Sequence, residues 1–253
     1  MLEKYLREKI GEKGILLMTH IVLGYPSFDD CFKIIEHMVE AGVDVMELQI
    51  PFSEPLADGP TIVHANHKAL ESGVTVNECF KFAAKAAEIF EIPFLIMSYY
   101  NIIFKYGVER FAKILVESKL PGSIIPDLPP EEGEDYLAAM NSHGLSPILL
   151  FSPTTSLQRM KKIADISQGF IYCVARKGVT GQKTNFSDEL TNYLTRCRKS
   201  TELPLAVGFG IKQKEDIDFL REKADIAVIG TQTIRIIENE GLSSVKKFIR
   251  NLR

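Results

Sequence analysis

Leu205-Ala206-Val207-Gly208-Phe209-Gly210-Ile211 and Ile226-Ala227-Val228-Ile229-Gly230-Thr231-Gln232 are two short apolar runs that each finish in glycine. Continuous hydrophobicity over so few residues fits parallel strands covered on both faces by helices. Strands seven and eight of phosphate-binding barrels end in such loops, where backbone N–H groups and an adjoining helix N-terminus receive a dianion. Absent side chains let the anion come close. Two ordinary tight turns are the plain alternative, but their placement after successive strands favours the phosphate reading. A dinucleotide fingerprint fails, because Gln213 stands where the third glycine is needed.

Working outward, six further runs of the same kind precede this pair: Leu16 to Val22, Val45 to Ile50, Phe94 to Tyr99, Ser123 to Pro126, Pro147 to Phe151 and Phe170 to Val174. With Leu205 to Gly208 and Ile226 to Gly230 they make eight, separated by segments of helical period, the pattern of repeated β-α units. Ser27 with Asp30 caps a helix expected from Phe28, and Gly144 ends one expected from Pro130. The expectation is a single-domain (β/α)8 TIM barrel over residues 1–253 with an extra N-terminal helix, and a doubly wound open sheet is the alternative. The 253 residues suit one barrel, which takes roughly 250.

A net charge of −3 argues against general nucleic-acid or membrane-surface binding, which needs a basic face. Apolar runs such as Ile92 to Met97 are far too short to span a bilayer, and Met1-Leu2-Glu3-Lys4 begins charged, so a cytoplasmic location is expected. Cys31, Cys79, Cys173 and Cys197 lie far apart, which suggests neither a disulfide framework nor a zinc site.

Barrel enzymes carry their chemistry at the C-terminal ends of strands, which directs attention to Met46-Glu47-Leu48-Gln49-Ile50-Pro51-Phe52-Ser53-Glu54-Pro55-Leu56-Ala57-Asp58-Gly59-Pro60. Glu47 sits within an apolar strand, where a carboxylate must be paired, shifted or used, and strand alternation turns it inward. A structural acid satisfied by neighbours is the plain reading. Asp58 lies in a Pro- and Gly-bounded loop, where acids are commonly solvated turn residues. Together, one acid in a dry strand and one in a wetter loop provide an acid–base group and an ionised electrostatic partner. After strand six, Arg176-Lys177-Gly178-Val179-Thr180-Gly181-Gln182-Lys183-Thr184-Asn185 reads as a polar glycine-hinged lid or a plain surface loop. His64 and His67 have no carboxylate to complete a metal set, and no metal is expected. His20 either lines the pocket or is a hydrogen-bonded core residue.

The segment from Glu47 to Ile62 resembles the signature of the tryptophan synthase alpha subunit family. The likeness continues through Gly24-Tyr25-Pro26, Tyr99-Tyr100-Asn101, Pro126-Asp127-Leu128-Pro129-Pro130, Pro153-Thr154-Thr155-Ser156, Gly178-Val179-Thr180-Gly181 and Gly208-Phe209-Gly210. It implies retro-aldol cleavage of indole-3-glycerol phosphate to indole and glyceraldehyde 3-phosphate. By that resemblance Glu47 is the general acid–base and Asp58 stabilises charge at the indole nitrogen. Tyr172 lines the pocket and Thr180 orients Asp58 when a lid closes. The phosphate rests against Gly181, Gly210, Gly230 and Thr231, with Gly208 at the strand end. The indole wall comprises His20, Met97, Tyr99, Ile124 and Phe209. The family also implies a pyridoxal-phosphate (PLP) beta subunit in an alpha2beta2 heterotetramer, with the cofactor in the partner and none in this chain. Docking would involve Ser53 to Pro60, Asn101 to Phe104 and Asp127 to Pro130. Against the family pattern, Gln49 replaces a glycine, Glu54 an aspartate, Ile102 a proline, His20 an aromatic residue, Lys177 an alanine and Thr231 a serine. The rival readings are an activator of the beta subunit that is itself catalytically weak and a Schiff-base aldolase using Lys177.

Overall fold

Each apolar run becomes a strand: β1 (Leu16–Val22), β2 (Val45–Gln49), β3 (Phe94–Met97), β4 (Gly122–Ile124), β5 (Ser146–Phe151), β6 (Ile171–Val174), β7 (Leu205–Gly208) and β8 (Ile226–Ile229). In the computed structural model, which describes residues 2–175, 183–208 and 210–253, they pair in chain order, all parallel, and β8 returns to β1 to close a barrel. The closing register runs from Leu16↔Ile226 to Thr19↔Ile229. The barrel expected from the sequence is the fold observed, and the open sheet is excluded. Among the described residues, no helix is long and apolar enough to cross a membrane.

The helices between and around the strands are α1 (Leu2–Lys13), α2 (Phe28–Glu40), α3 (Pro60–Glu71), α4 (Val76–Ile89), α5 (Tyr100–Tyr106), α6 (Val108–Glu117), α7 (Glu134–Ser142), α8 (Leu157–Ile166), α9 (Lys183–Arg198), α10 (Lys214–Leu220), α11 (Thr231–Glu240) and α12 (Ser243–Asn251). Ser27 caps α2 as its sequence suggests, accepting the Asp30 N–H at 3.1 Å. The helix expected from Pro130 is divided: Pro130–Glu132 forms one 3-10 turn, Gly133 interrupts, and α7 follows. Strand ends also shift. β3 stops at Met97 because Tyr99 turns to cap α5, and β4 stops at Ile124 shortly before Pro126, which has no N–H for a ladder. β4 begins at Gly122 because a Cβ there would lie 2.2 Å from the Ser146 carbonyl oxygen, so only glycine lets β4 and β5 approach.

Alternation along the strands divides the core in two. Leu16, Met18, Val45, Leu95, Ile124, Ala206, Ile226 and Val228 fill the barrel, while Leu17, Met46, Leu48, Ile96 and Val207 face the surrounding helices. The N-terminal helix α1 packs buried Leu2 and Leu6 into the interior cluster. Each such side chain contributes about 1.5–3 kcal/mol on burial.

A polar clamp fastens the same end. Asp44, just before β2 and 2% exposed, accepts the Leu17 N–H at 2.8 Å and forms ion pairs with Lys13 and Arg253. Removing a buried charge partner leaves its mates uncompensated, at a cost of about 3–5 kcal/mol. Asp44→Ala is therefore expected to destabilise the protein by about 3 kcal/mol and to lower Tm by roughly 10 °C in calorimetry. A loss below ~1 kcal/mol would remove the clamp from the account of stability.

Candidate active site

The β1–β2 register places His20 opposite Glu47, and alternation aims Glu47 and Gln49 into the barrel beside Val45. His20 and Glu47 are 3% and 4% exposed. The ring Nδ1 lies 3.0 Å from Glu47 Oε1. Burial disfavours the charged ring, but the hydrogen bond and charge of Glu47, then the charge of Asp58 and the Gln49 amide, outweigh it and raise the His20 pKa above its ordinary value. Burial, then the charges of Glu47 and Asp58, push the Tyr172 hydroxyl well above the usual phenol range. It stays protonated as a neutral donor facing Glu47. Gly208, on the neighbouring strand β7, admits it, since a Cβ there would stand 3.2 Å from the Tyr172 oxygen.

Asp58 is held differently, in the loop between β2 and α3. Gln49 Nε2 donates to its Oδ2 at 2.7 Å, and the Tyr99 hydroxyl donates to the same oxygen at 3.0 Å while accepting the Ala57 N–H at 3.0 Å. Tyr99 is fixed by stacking on Phe52, with centroids 5.1 Å apart. Burial and then Asp58 raise its pKa, so its proton stays on.

Both acids line one cavity of about 550 Å3 at the C-terminal end of the strands, a volume that suits a small-molecule site. His20, Met97, Ile124 and Tyr172 share that lining, as do Gly208, Gly210, Gly230 and Thr231 at the ends of β7 and β8. Gly210 has φ +82°, which favours glycine. Tyr99, expected in the indole wall, is not among the described residues that border the cavity and stands behind Asp58 instead. Thr180, Gly181, Phe209 and Lys177 lie outside the described residues. His67 binds the Ser53 carbonyl oxygen at 3.1 Å.

Two cations escaped the sequence reading. Lys212, in the loop after β7, and Arg235, on α11, both line the cavity. The available signal was spacing: Arg235 is four residues after Thr231, hence on the same face of a helix whose N-terminus meets the cavity. In the sequence Gln49 stands out only as a departure from the family pattern; its bond to Asp58 is visible only in the fold. An acid in a dry wall, a second acid at the mouth and a cation- and glycine-edged rim are suited to moving a proton on an anionic substrate.

Fold and cavity together define a (β/α)8 barrel with two carboxylates facing one small-molecule cavity at the C-terminal ends of its strands. A family model described as tryptophan synthase alpha chain matches residues 6–252. A tryptophan synthase alpha chain from Syntrophotalea carbinolica is 58% identical over 253 residues, covering 100% of both chains. Among solved structures, tryptophan synthase subunit alpha from Legionella pneumophila superposes with TM-score 0.90 at 30% identity, covering 99% of this chain and 96% of that one. A tryptophan synthase complex from Pyrococcus furiosus superposes with TM-score 0.85 at 27% identity, covering 94% and 97%. The chain belongs to the tryptophan synthase alpha chain family.

The Tyr99 hydroxyl ties the loop carrying Asp58 to the end of β3. Tyr99→Phe removes that tie without opening a cavity, and such a hydrogen bond is worth about 1 kcal/mol. Tm should change by less than ~4 °C, while proteolytic cleavage within residues 53–59 should quicken about five- to tenfold. Unchanged cleavage would show that the loop is held by other contacts.

Proposed function

We propose that Glu47 is the general acid–base and Asp58 the electrostatic partner of the substrate nitrogen in a retro-aldol lyase. The reaction is cleavage of indole-3-glycerol phosphate to indole and glyceraldehyde 3-phosphate, a step in tryptophan synthesis. What carries this assignment is that Glu47 and Asp58 face one cavity from different surroundings, each with its own donor: His20 for the first, Gln49 and Tyr99 for the second.

Glu47 gives a proton to C3 of the indole ring, which leaves positive charge on the ring nitrogen. The Asp58 carboxylate stabilises that charge. The hydroxyl on the adjoining side-chain carbon then gives up its proton, its O–H electrons form the aldehyde, and the C–C bond electrons return to the ring. Glu47 loses one proton and recovers one. No Schiff base with Lys177 is required. The phosphate sits at the N-terminus of α11 and the glycine-edged ends of β7 and β8, with Arg235 and Lys212 at its rim.

Indole passes to a beta subunit in an alpha2beta2 assembly, and the PLP that condenses it with serine belongs to that partner. The segments expected to dock offer apolar contact: Leu56 is 85% and Phe104 70% exposed. Two of the segments are joined, because the Asp127 carboxylate accepts the Tyr100 N–H at 2.9 Å at the start of α5.

Glu47→Gln keeps the shape and removes the proton carrier, so indole release should fall about 10²-fold or more with Tm little changed. Full turnover would exclude the role; loss of turnover with undiminished stimulation of a compatible beta subunit would separate chemistry from activation. Arg235→Ala should weaken inhibition by inorganic phosphate about tenfold, the loss of one charge-assisted contact. An unchanged inhibition constant would place the anion elsewhere.

A further inference from the structure

Glu47 must do two things with one carboxylate, and free rotation about its last bond would leave either oxygen facing the substrate. The structure restrains one of them. His20 stands directly opposite on β1, its Nδ1 3.0 Å from Oε1, with both side chains inside the barrel wall. The ring has a second feature: its Nε2 and Gln49 Oε1 are both buried with no other hydrogen-bond partner, and the Gln49 amide favours the charged ring. The Gln49 amide keeps its oxygen toward the ring, because its Nε2 is committed to Asp58, an acceptor-only group when ionised.

We infer that His20 is a positioning residue for Glu47: its Nδ1–H holds Oε1, so that proton exchange with the substrate is confined to Oε2. This rests on the acid–base role of Glu47 proposed above. A held carboxylate keeps its reactive oxygen aligned through both proton transfers, and misalignment by a fraction of a bond length is expensive in rate. The ring's ionisation modulates the hold, since a charged donor binds a carboxylate about twice as strongly as a neutral one. The groups that bias this ionisation are Glu47 and Gln49 on β2 and Asp58 in the following loop, while Tyr172 on β6 faces Glu47. Lys212 and Arg235 border the same cavity from the β7 loop and α11, whereas β8 presents only Val228 and Gly230 there.

Three variants test this in indole release from indole-3-glycerol phosphate by the chain together with a compatible beta subunit. His20→Phe keeps the ring and loses the donor; kcat should fall about tenfold or more with KM changed less than about threefold. His20→Asn returns an amide N–H near the Nδ1 position and should recover kcat to within about threefold of the wild type. The wild-type rate should decline as pH rises through the raised His20 pKa, a step missing from His20→Asn. Wild-type kcat in His20→Phe, or no recovery in His20→Asn despite a normal melting transition, would overturn the inference. Should His20→Phe fail to fold, His20→Leu supplies the comparison. Glu47→Gln run alongside keeps the two ideas apart: its full activity would sink the acid–base assignment, whereas its loss with an unaffected His20→Phe sinks only the role of His20.

Discussion

The hydrogen bonding between β1 and β8, from Leu16↔Ile226 to Thr19↔Ile229, is the constraint on which the rest depends. A parallel sheet left open would carry two edges of unpaired N–H and C=O groups. Closure removes both and fixes an interior of definite width, filled from below by Leu2, Leu6, Leu16 and Ile226. It also brings the first and last strands of the chain side by side. The Cβ position of Gly230 is 3.5 Å from the Cβ of His20, so the partner of one acid and the glycine after β8 are neighbours although far apart in sequence.

Within that interior, apolar side chains give way to polar ones toward the C-terminal ends of the strands. Glu47 tolerates the dry wall because its neighbours answer it: an imidazole whose charged form it favours and a phenol held protonated by burial. Because the folded His20 pKa is raised, the stabilisation from its charged form is fully present below the unfolded value near 6.5 and disappears as pH rises through the folded value. The same proton that tunes the carboxylate therefore stabilises the wall around it. Function and stability are linked there rather than opposed, unlike the more common case in which a site is held at the expense of the fold.

Much of this was legible along the chain because it is local. Continuous apolar runs marked the strands, alternation turned Glu47 inward, and glycines marked the ends of β7 and β8 that line the cavity. Boundaries moved by a residue or two where a neighbour intervened, as when Tyr99 left the strand to cap α5. What escaped was non-local. The family resemblance puts Tyr99 in the pocket wall, and only the fold shows its hydroxyl on Asp58, 41 residues away in sequence. Gln49 reads as an oddity until the loop folds back to place Asp58 against it. Arg235 hides in an amphipathic helix whose polar residues all look solvent-directed until the strand before it is known to end at a cavity.

The two acids differ in how the fold can act on them. Glu47 is fixed by strand register, which no surface event moves. Asp58 belongs to a loop that turns on a bond from its own N–H to the Pro55 carbonyl at 3.0 Å, and the loop's most exposed apolar residue, Leu56, is only two positions away. A protein partner that packs on Leu56 thus presses on the same short turn that aims Asp58, against the restraint of Gln49 and Tyr99. Coupling by this route requires no path through the barrel wall: it needs only that the partner prefer one arrangement of the turn, and the preference passes to the carboxylate as a difference in free energy between two loop positions. The strand acid is held by register and the loop acid by a turn that a bound protein can bias, so the two differ in how far the surface can reach them.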